Sequence, residues 1–267
     1  MNIWLDGTVV EARQARIDPT DPGLALGDGL YECLRARSGK ALRLAAHLAR
    51  LHAGARALGM TIPFADKDIG EAMSAVLAAN GLAHGLLRLI LIRGPQGPDW
   101  SAPKPIPPTL LITAGPAGPE PSTAKAIIAT VTRRNEFSPT ARFKTLNTLD
   151  NLLARREAAR HKTDEALLLN SQGRLAEASG ANLFLVIDGD VLTPPVAEGA
   201  LPGVMRAEVI DRLGAATAQL NPADLASASE AFLTNALGIR ALLAVDGKAI
   251  GNGREGSITA RLKAAVS

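Results

Sequence analysis

Arg142-Phe143-Lys144-Thr145-Leu146-Asn147-Thr148-Leu149-Asp150-Asn151 is the stretch on which the reading of this 267-residue chain turns. It sets a lysine between Phe143 and Leu146, directly ahead of a predicted helix from Leu149 to His161 that Asn147 or Thr148 is placed to cap. An amine partly shielded from water beside apolar groups spends more time neutral, and the neutral form is the one that attacks a carbonyl. The same residues also fit a lysine at a helix entrance with its head in water. The chain has 8 lysines among 29 cationic residues, so arginine is its ordinary surface cation and each lysine carries slightly more information.

Working outward, Gly173-Arg174-Leu175-Ala176-Glu177-Ala178-Ser179-Gly180-Ala181-Asn182-Leu183-Phe184 reads as a turn, a short extended piece, and small residues leading into a strand. Small side chains let a flat ring approach the backbone, and a carboxylate beside a pyridine nitrogen makes that ring an electron sink. An edge-strand charge followed by a plain turn is the other reading of Glu177. Upstream, Leu48, Leu51, Ala55 and Leu58 recur at helical spacing over Ala45 to Leu58 and leave Arg50 on a less apolar side, suited to a bidentate contact with a phosphate or to solvent. Leu201-Pro202-Gly203-Val204-Met205-Arg206 is a turn into a helix whose first N–H groups lack internal partners. Thr234-Asn235-Ala236-Leu237 is a strand end with a hydroxyl and an amide.

Composition narrows the classes. A formal charge of +3 from 29 cationic and 26 anionic residues is near balance, and 3% aromatic content leaves few stacking platforms, so nucleic acid is not the expected partner. The lone Cys33 excludes an internal disulfide, and four scattered histidines give no metal spacing. Without an apolar run of about 18 residues or a basic, apolar leader, the expectation is a cytoplasmic protein off the membrane that acts on a small molecule.

The hairpin signal Asp6-Gly7 joins strands within Asn2 to Val10. Strands are expected at Leu30–Arg37, Leu86–Arg93 (a buried run), Thr109–Thr113, Ala126–Thr132, Glu165–Asn170 and Ala231–Thr234. Others pair about Asp188-Gly189, Leu183–Ile187 with Val191–Thr193. A further helix is expected over Asp68–Ala79. Gly94 to Pro108 holds six prolines and is expected to be a loop over a site. Gly115 to Pro121 has three prolines and two glycines and is read as the domain boundary. The pattern is α+β rather than doubly wound: residues 1–114, a linker at 115–122, and residues 123–267.

In order, these segments resemble the pyridoxal-phosphate enzymes of fold type IV, which include branched-chain aminotransferases, D-amino acid aminotransferases and aminodeoxychorismate lyases. The resemblance runs from about Asp18 to Gly247. It is carried by Asp21-Pro22-Gly23-Leu24-Ala25-Leu26-Gly27-Asp28-Gly29-Leu30-Tyr31-Glu32, by His47-Leu48-Ala49-Arg50-Leu51, by Lys144 to Glu157, by Asp164-Glu165-Ala166-Leu167-Leu168, and by Glu177 to Phe184. It implies a smaller N-terminal α/β domain, a larger C-terminal pseudo-barrel domain that binds pyridoxal 5′-phosphate, and a homodimer. It further implies that Lys144 is the Schiff-base lysine, Glu177 pairs with the pyridine nitrogen, and Arg50 holds the phosphate. Backbone N–H groups at Gly203, Val204 and Met205 would bind the same phosphate, with Asn235 and Ala236 beside it. Met205 departs from the threonine often found there. Tyr31, Glu32 and Arg93 are the substrate-side candidates. Because aminotransferases usually present small hydroxyl residues at Asn235 and Ala236, the reading leans to a lyase that makes 4-aminobenzoate, a folate precursor, and pyruvate. The alternative is an aminotransferase acting on D-amino or branched-chain amino acids with a 2-oxo acid acceptor. Arg93 to Trp100 lacks the second arginine by which D-amino acid aminotransferases catch the substrate carboxylate, and it also lacks the arginine found in this loop of some lyases.

Overall fold

At Asp6-Gly7 both residues take positive φ, 43° and 103°, and the turn joins β1 (Asn2–Leu5) to β2 (Thr8–Glu11). Such a turn matches the right-handed twist of the strands it connects. In the computed structural model of the chain, which describes residues 1–96, 106–118 and 121–266, this hairpin begins the first of two units. The units are Met1–Gly118 with Phe143–Asn147, and Pro119–Arg142 with Thr148–Ser267. Residues 97–105 of the expected proline-rich loop, and 119–120 of the expected linker, lie outside the described residues.

The first unit is a six-stranded antiparallel sheet in the order β2-β1-β6-β5-β3-β4, with β3 at Gly29–Arg37, β4 at Lys40–Ala41, β5 at Gly85–Ile92 and β6 at Thr109–Pro116. Side chains on a strand alternate faces. In β3, Leu30, Glu32, Leu34 and Ala36 therefore share one face, and all four are buried. Cross-strand register continues that face through Leu91 and Leu87 of β5 to Leu110 and Ala114 of β6. The Leu86–Arg93 run was expected to be a buried strand; instead Leu86 and Ile90 are half-buried and Arg88 exposed, because among the described residues the two helices that cover this unit pack on the opposite face.

Two helices cover the buried face: α2 (Leu44–Ala57) and α3 (Asp66–Ala79), after a short α1 (Pro22–Leu26). Leu48, Leu51, Ile69, Met73 and Leu77 enter one core with Trp4, Leu30 and Leu34. Each such side chain contributes about 1.5–3 kcal/mol on full burial. Gly54 of α2 is needed for that packing, since a Cβ there would lie 2.9 Å from the Leu30 methyls.

The second unit is a nine-stranded mixed sheet. Its strands are β7 (Thr123–Ile128), β8 (Glu165–Leu169), β9 (Leu175–Ala178), β10 (Asn182–Ile187), β11 (Asp190–Thr193), β12 (Ala216–Thr217), β13 (Glu230–Asn235), β14 (Gly238–Val245) and β15 (Lys248–Ala249). They run in the order β12-β11-β10-β13-β14-β7-β8-β9, with β15 on β14. Strands β7 and β8 are parallel and joined through α4 (Leu149–Arg160), which packs Ala154 and Ala158 against Ile127, Ala166 and Leu168. Strand β7 stops at Ile128 rather than Thr132, because the N–H groups of Thr130 and Val131 donate to the Glu157 carboxylate of α4. Phe184 and Phe232 stack across β10 and β13 at 4.9 Å. Helices α5 (Val204–Leu213) and α7 (Ser257–Val266) bring Met205, Val209 and Leu262 to the same cluster, and a short α6 spans Asp224–Ser227. Among the described residues no helix is long and apolar enough to cross a membrane.

Candidate active site

Lys144 does not stand free ahead of α4. Its carbonyl accepts the Tyr31 N–H at 2.9 Å, Leu30 bridges to Thr145, and the Leu146 N–H donates to Gly29 at 3.0 Å. The lysine segment is thus a short extra pairing on the start of β3, which is why it belongs to the first unit although the sequence was divided with residue 144 in the C-terminal domain. Its Nζ lies 4.3 Å from the centroid of the Tyr31 ring, a cation–π contact that aims the amine along one face of β3. Asn147 caps nothing; its Nδ2 donates to the Gly27 carbonyl, leaving α4 without a side-chain cap.

Tyr31 and Glu32 are neighbours with opposite fates. Alternation turns Glu32 inward, where it is 1% exposed. A buried carboxylate needs donors. Helix α2 supplies them three residues apart: His47 Nδ1 at 2.7 Å from Oε2, Arg50 Nε at 2.8 Å from Oε1 and Arg50 Nη2 at 2.6 Å from Oε2. Burial on its own would raise the Glu32 pKa, but the Arg50 and His47 bonds outweigh it and hold the group below the usual carboxylate range. The expectation that Glu32 touches substrate gives way to a different placement: both of its oxygens are committed, and it orients Arg50. Arg93 is similarly engaged, with Nε 2.5 Å and Nη2 2.9 Å from the Asp28 carboxylate and Nη2 2.8 Å from the Leu58 carbonyl.

In the second unit, Glu177 of β9 is 6% exposed. Its Oε2 accepts the Leu201 N–H at 2.8 Å, and Oε1 lies 3.2 Å from Arg134 Nε. Arg134 also donates to the Gly199 carbonyl at 3.1 Å. Arg134, the second residue of an ordinary Arg-Arg pair, carries no motif, and Leu201 is marked only as the start of the turn into α5 because it acts through its backbone.

Gly203 precedes α5, which has no side-chain cap. A Cβ at 203 would fall 2.0 Å from Asn182 Oδ1, so only glycine lets the helix start this close to β10. The first-turn N–H groups of Val204 and Met205 have no acceptor within the helix. Two buried polar atoms of this unit have no protein partner among the described residues, Arg206 Nε and Thr234 Oγ1. Burial lowers the Arg206 pKa while the Glu177 charge opposes that shift. An uncapped helix start, two unsatisfied buried donors and a buried carboxylate suit a cofactor carrying a phosphate and a basic ring nitrogen. Asn235 spends its side chain on the protein: Nδ2 donates to Gly180 at 3.2 Å, and Oδ1 accepts from Leu237 and Gly238. Ala236, beside it in that turn, has only a methyl side chain to offer.

The sequence pattern described as amino-transferase class IV matches residues 29–245. A Methanocaldococcus jannaschii protein, provisionally named a branched-chain-amino-acid aminotransferase, is 32% identical over 98% of this chain and 94% of its own length. The D-alanine aminotransferase of Listeria monocytogenes is 28% identical over 98% of this chain and 93% of its own. Among solved structures, the branched-chain amino acid aminotransferase of Escherichia coli superposes with a TM-score of 0.91 at 27% identity, covering 99% and 92% of the two chains. A Legionella pneumophila chain provisionally named 4-amino-4-deoxychorismate lyase reaches 0.86 at 27% identity, covering 94% of each. The two units are those of fold type IV, and the chain belongs to the class IV amino-transferases, enzymes that depend on pyridoxal phosphate.

Proposed function

We propose that this protein is an aminotransferase that moves the amino group of a branched-chain or other apolar amino acid to a 2-oxo acid, with Lys144 as its catalytic amine. The observation that carries the reading is the Lys144 Nζ held over the Tyr31 ring by a segment sewn to β3. Pyridoxal phosphate, when bound, supplies an aldehyde that an amine captures and a ring that takes up electrons. With the cofactor bound, Lys144 Nζ would carry the proton from the substrate α-carbon to the cofactor C4′ carbon in the first half of the cycle and in the opposite direction in the second. Glu177, buried on β9, would partner the ring nitrogen and favour its protonated form. Within the second unit, the first-turn N–H groups of Val204 and Met205 would meet the phosphate, with Gly203, whose own N–H donates to the Leu201 carbonyl at 2.8 Å, setting the close start of α5 and Asn235 with Ala236 shaping a neighbouring turn. Arg50, fixed by Glu32, is the phosphate candidate of the first unit. Tyr31 faces the substrate. Arg93, its guanidinium bonded to Asp28 and Leu58, sets the edge of that space instead of gripping a carboxylate.

Amino transfer is preferred over the lyase reaction for a physical reason as well as for the relatives. The lyase reading leaned on Asn235 and Ala236 standing where aminotransferases usually have small hydroxyl residues; the Asn235 amide bonds Gly180, Leu237 and Gly238, so that residue supports the turn itself and gives the lyase no contact of its own. A branched-chain donor is preferred over a D-amino acid because 94–100 offers no second arginine for a carboxylate. The experiment is a panel of L-leucine, D-alanine and 4-amino-4-deoxychorismate given to the yellow protein. Bleaching by L-leucine and recovery with a 2-oxo acid is the expected result; release of pyruvate from 4-amino-4-deoxychorismate without bleaching overturns it. Borohydride reduction followed by peptide mapping is expected to label Lys144, and K144A to lose the label.

We also infer a homodimer working in the cytoplasm. Leu149, Leu152 and Leu153 lie at i, i+3 and i+4 on α4 and are 62%, 47% and 39% exposed, and such a stripe is the usual mark of an interface.

A further inference from the structure

Arg174 and Glu198 stand three residues before Glu177 and Leu201, the two residues joined by the bond from the Leu201 N–H to the Glu177 carboxylate. Arg174 binds Glu198 as a fork: Nε lies 2.6 Å from Oε2 and Nη2 2.9 Å from Oε1. The Glu198 side chain is 5% exposed and takes two more donors, Asn170 Nδ2 at 2.5 Å and Gln219 Nε2 at 2.9 Å. A carboxylate that accepts four hydrogen bonds in a nearly closed site is held far more firmly than a surface ion pair. The segment it anchors is irregular, and Asn182 Nδ2 holds its far end by donating to the Leu201 carbonyl at 2.8 Å. Residues Val196–Glu198 form one 3₁₀ turn, Gly199 follows at φ +97°, and the chain is irregular until α5 begins at Val204. Along that segment Gly199 offers its carbonyl to Arg134, and Leu201 its N–H to Glu177.

We propose that the Arg174–Glu198 pair is a positioning device for Glu177, a clamp that keeps the 199–201 segment against β9 so that Leu201 and Arg134 occupy fixed parts of the Glu177 carboxylate. The inference rests on the reading of Glu177 as the ring-nitrogen partner. The basicity of a carboxylate is set by the donors it accepts and the cations beside it. A loosened segment withdraws the Leu201 N–H from the carboxylate and the Gly199 carbonyl from Arg134, so the donors that set the Glu177 carboxylate are no longer fixed.

The test uses the full-length holoenzyme and two readouts, the dissociation constant of pyridoxal phosphate and the pH profile of its visible absorbance, in E198A, R174K, E177Q and the E177Q/E198A pair. E198A is expected to weaken binding about tenfold, by analogy with the cost of losing outer partners at bound groups. R174K, which keeps the charge without the fork, is expected to fall between E198A and the parent and covers the case of a poorly folding E198A. Both variants are expected to shift the pH profile in the same direction as E177Q. In the E177Q background, E198A is expected to add less than about a twofold loss, because two changes that act through one group do not add. Equal losses from E198A with Glu177 present or replaced, or an unmoved pH profile, overturn the clamp while leaving the role of Glu177 standing. An E177Q protein that binds and titrates like the parent overturns that role and the clamp with it.

Discussion

Replacing Glu32 by glutamine tests whether a buried acid, and not the helix alone, fixes Arg50. Glu32 accepts three bonds from charged or chargeable donors, and glutamine keeps one acceptor while turning an NH2 toward donors. Losing one member of a buried pair costs about 3–5 kcal/mol. Arg50 is 12% exposed and reaches some water, so the low end, about 3 kcal/mol, applies. An independent count agrees: bonds to a charged group are worth about 1.5–3 kcal/mol each, and two are lost. At about 2–4 °C per kcal/mol for domains near this size, the melting transition of the first unit is expected to fall by about 10 °C. The pH dependence carries the sign. Glu32 has a depressed pKa in the fold, so its stabilisation is fully present above the unfolded carboxylate value of about 4.3 and is lost as pH falls through the lower folded value. The parent and E32Q should therefore differ by a constant amount from about pH 8 to about pH 5 and converge in stronger acid. Calorimetry over a pH series at fixed cofactor concentration measures both. A loss below about 1 kcal/mol, or a gap that persists undiminished into acid, refutes the reasoning.

Three further perturbations follow from single contacts. Asp21 accepts the Gly23 N–H at 2.7 Å and the Gly94 N–H at 2.9 Å, so D21N trades one acceptor for a donor and is expected to cost about 1 kcal/mol in urea unfolding at neutral pH. Burial raises the Asp21 pKa against those two bonds, so its contribution to stability declines as pH climbs from about 3.9 through the folded value, and D21N should flatten that slope. G203A drives a Cβ into Asn182 Oδ1 and is expected to lose about 1–3 kcal/mol by thermal melting and to bind pyridoxal phosphate more weakly, whereas alanine at the open Gly214 should spare the cofactor. L149D/L152D is expected to halve the mass seen in light scattering without lowering helix content, since both side chains are exposed in the isolated chain.

Much of the fold could be read from short-range chemistry. Asp6-Gly7 and Asp188-Gly189 announced their hairpins because aspartate and glycine tolerate positive φ, and the 3.6-residue recurrence of Leu48, Leu51 and Ala55 announced α2. The same dipeptide stands at Asp246-Gly247, where φ is 49° and 75° and the turn joins β14 to β15; that signal was available and went unread. Other elements were beyond local reading. Whether β7 ends at Ile128 depends on Glu157, 27 positions away from Thr130. Pairing of residues 143–147 with the start of β3 joins segments more than a hundred positions apart, and no propensity of either reports it.

The candidate site divides along the same line. A motif names the group that meets the ligand, but the chemistry of that group is set by partners the motif does not contain. Lys144, Glu177 and Arg50 are singled out as candidates by neighbourhood and resemblance. The choice of Tyr31 over Glu32 was not legible, because the sequence shows two adjacent polar residues and only the pleat sends one toward Lys144 and the other into the core between His47 and Arg50. Asn235 errs in the opposite direction. An exposed-looking amide at a strand end invited a reading as a ligand contact, yet an asparagine there satisfies three backbone groups of two turns, and a turn that lacks those bonds pays for it in order. The preferred reaction moved with that side chain together with the relatives. A polar residue at a loop should therefore be tested against the backbone groups it can satisfy before it is given a substrate.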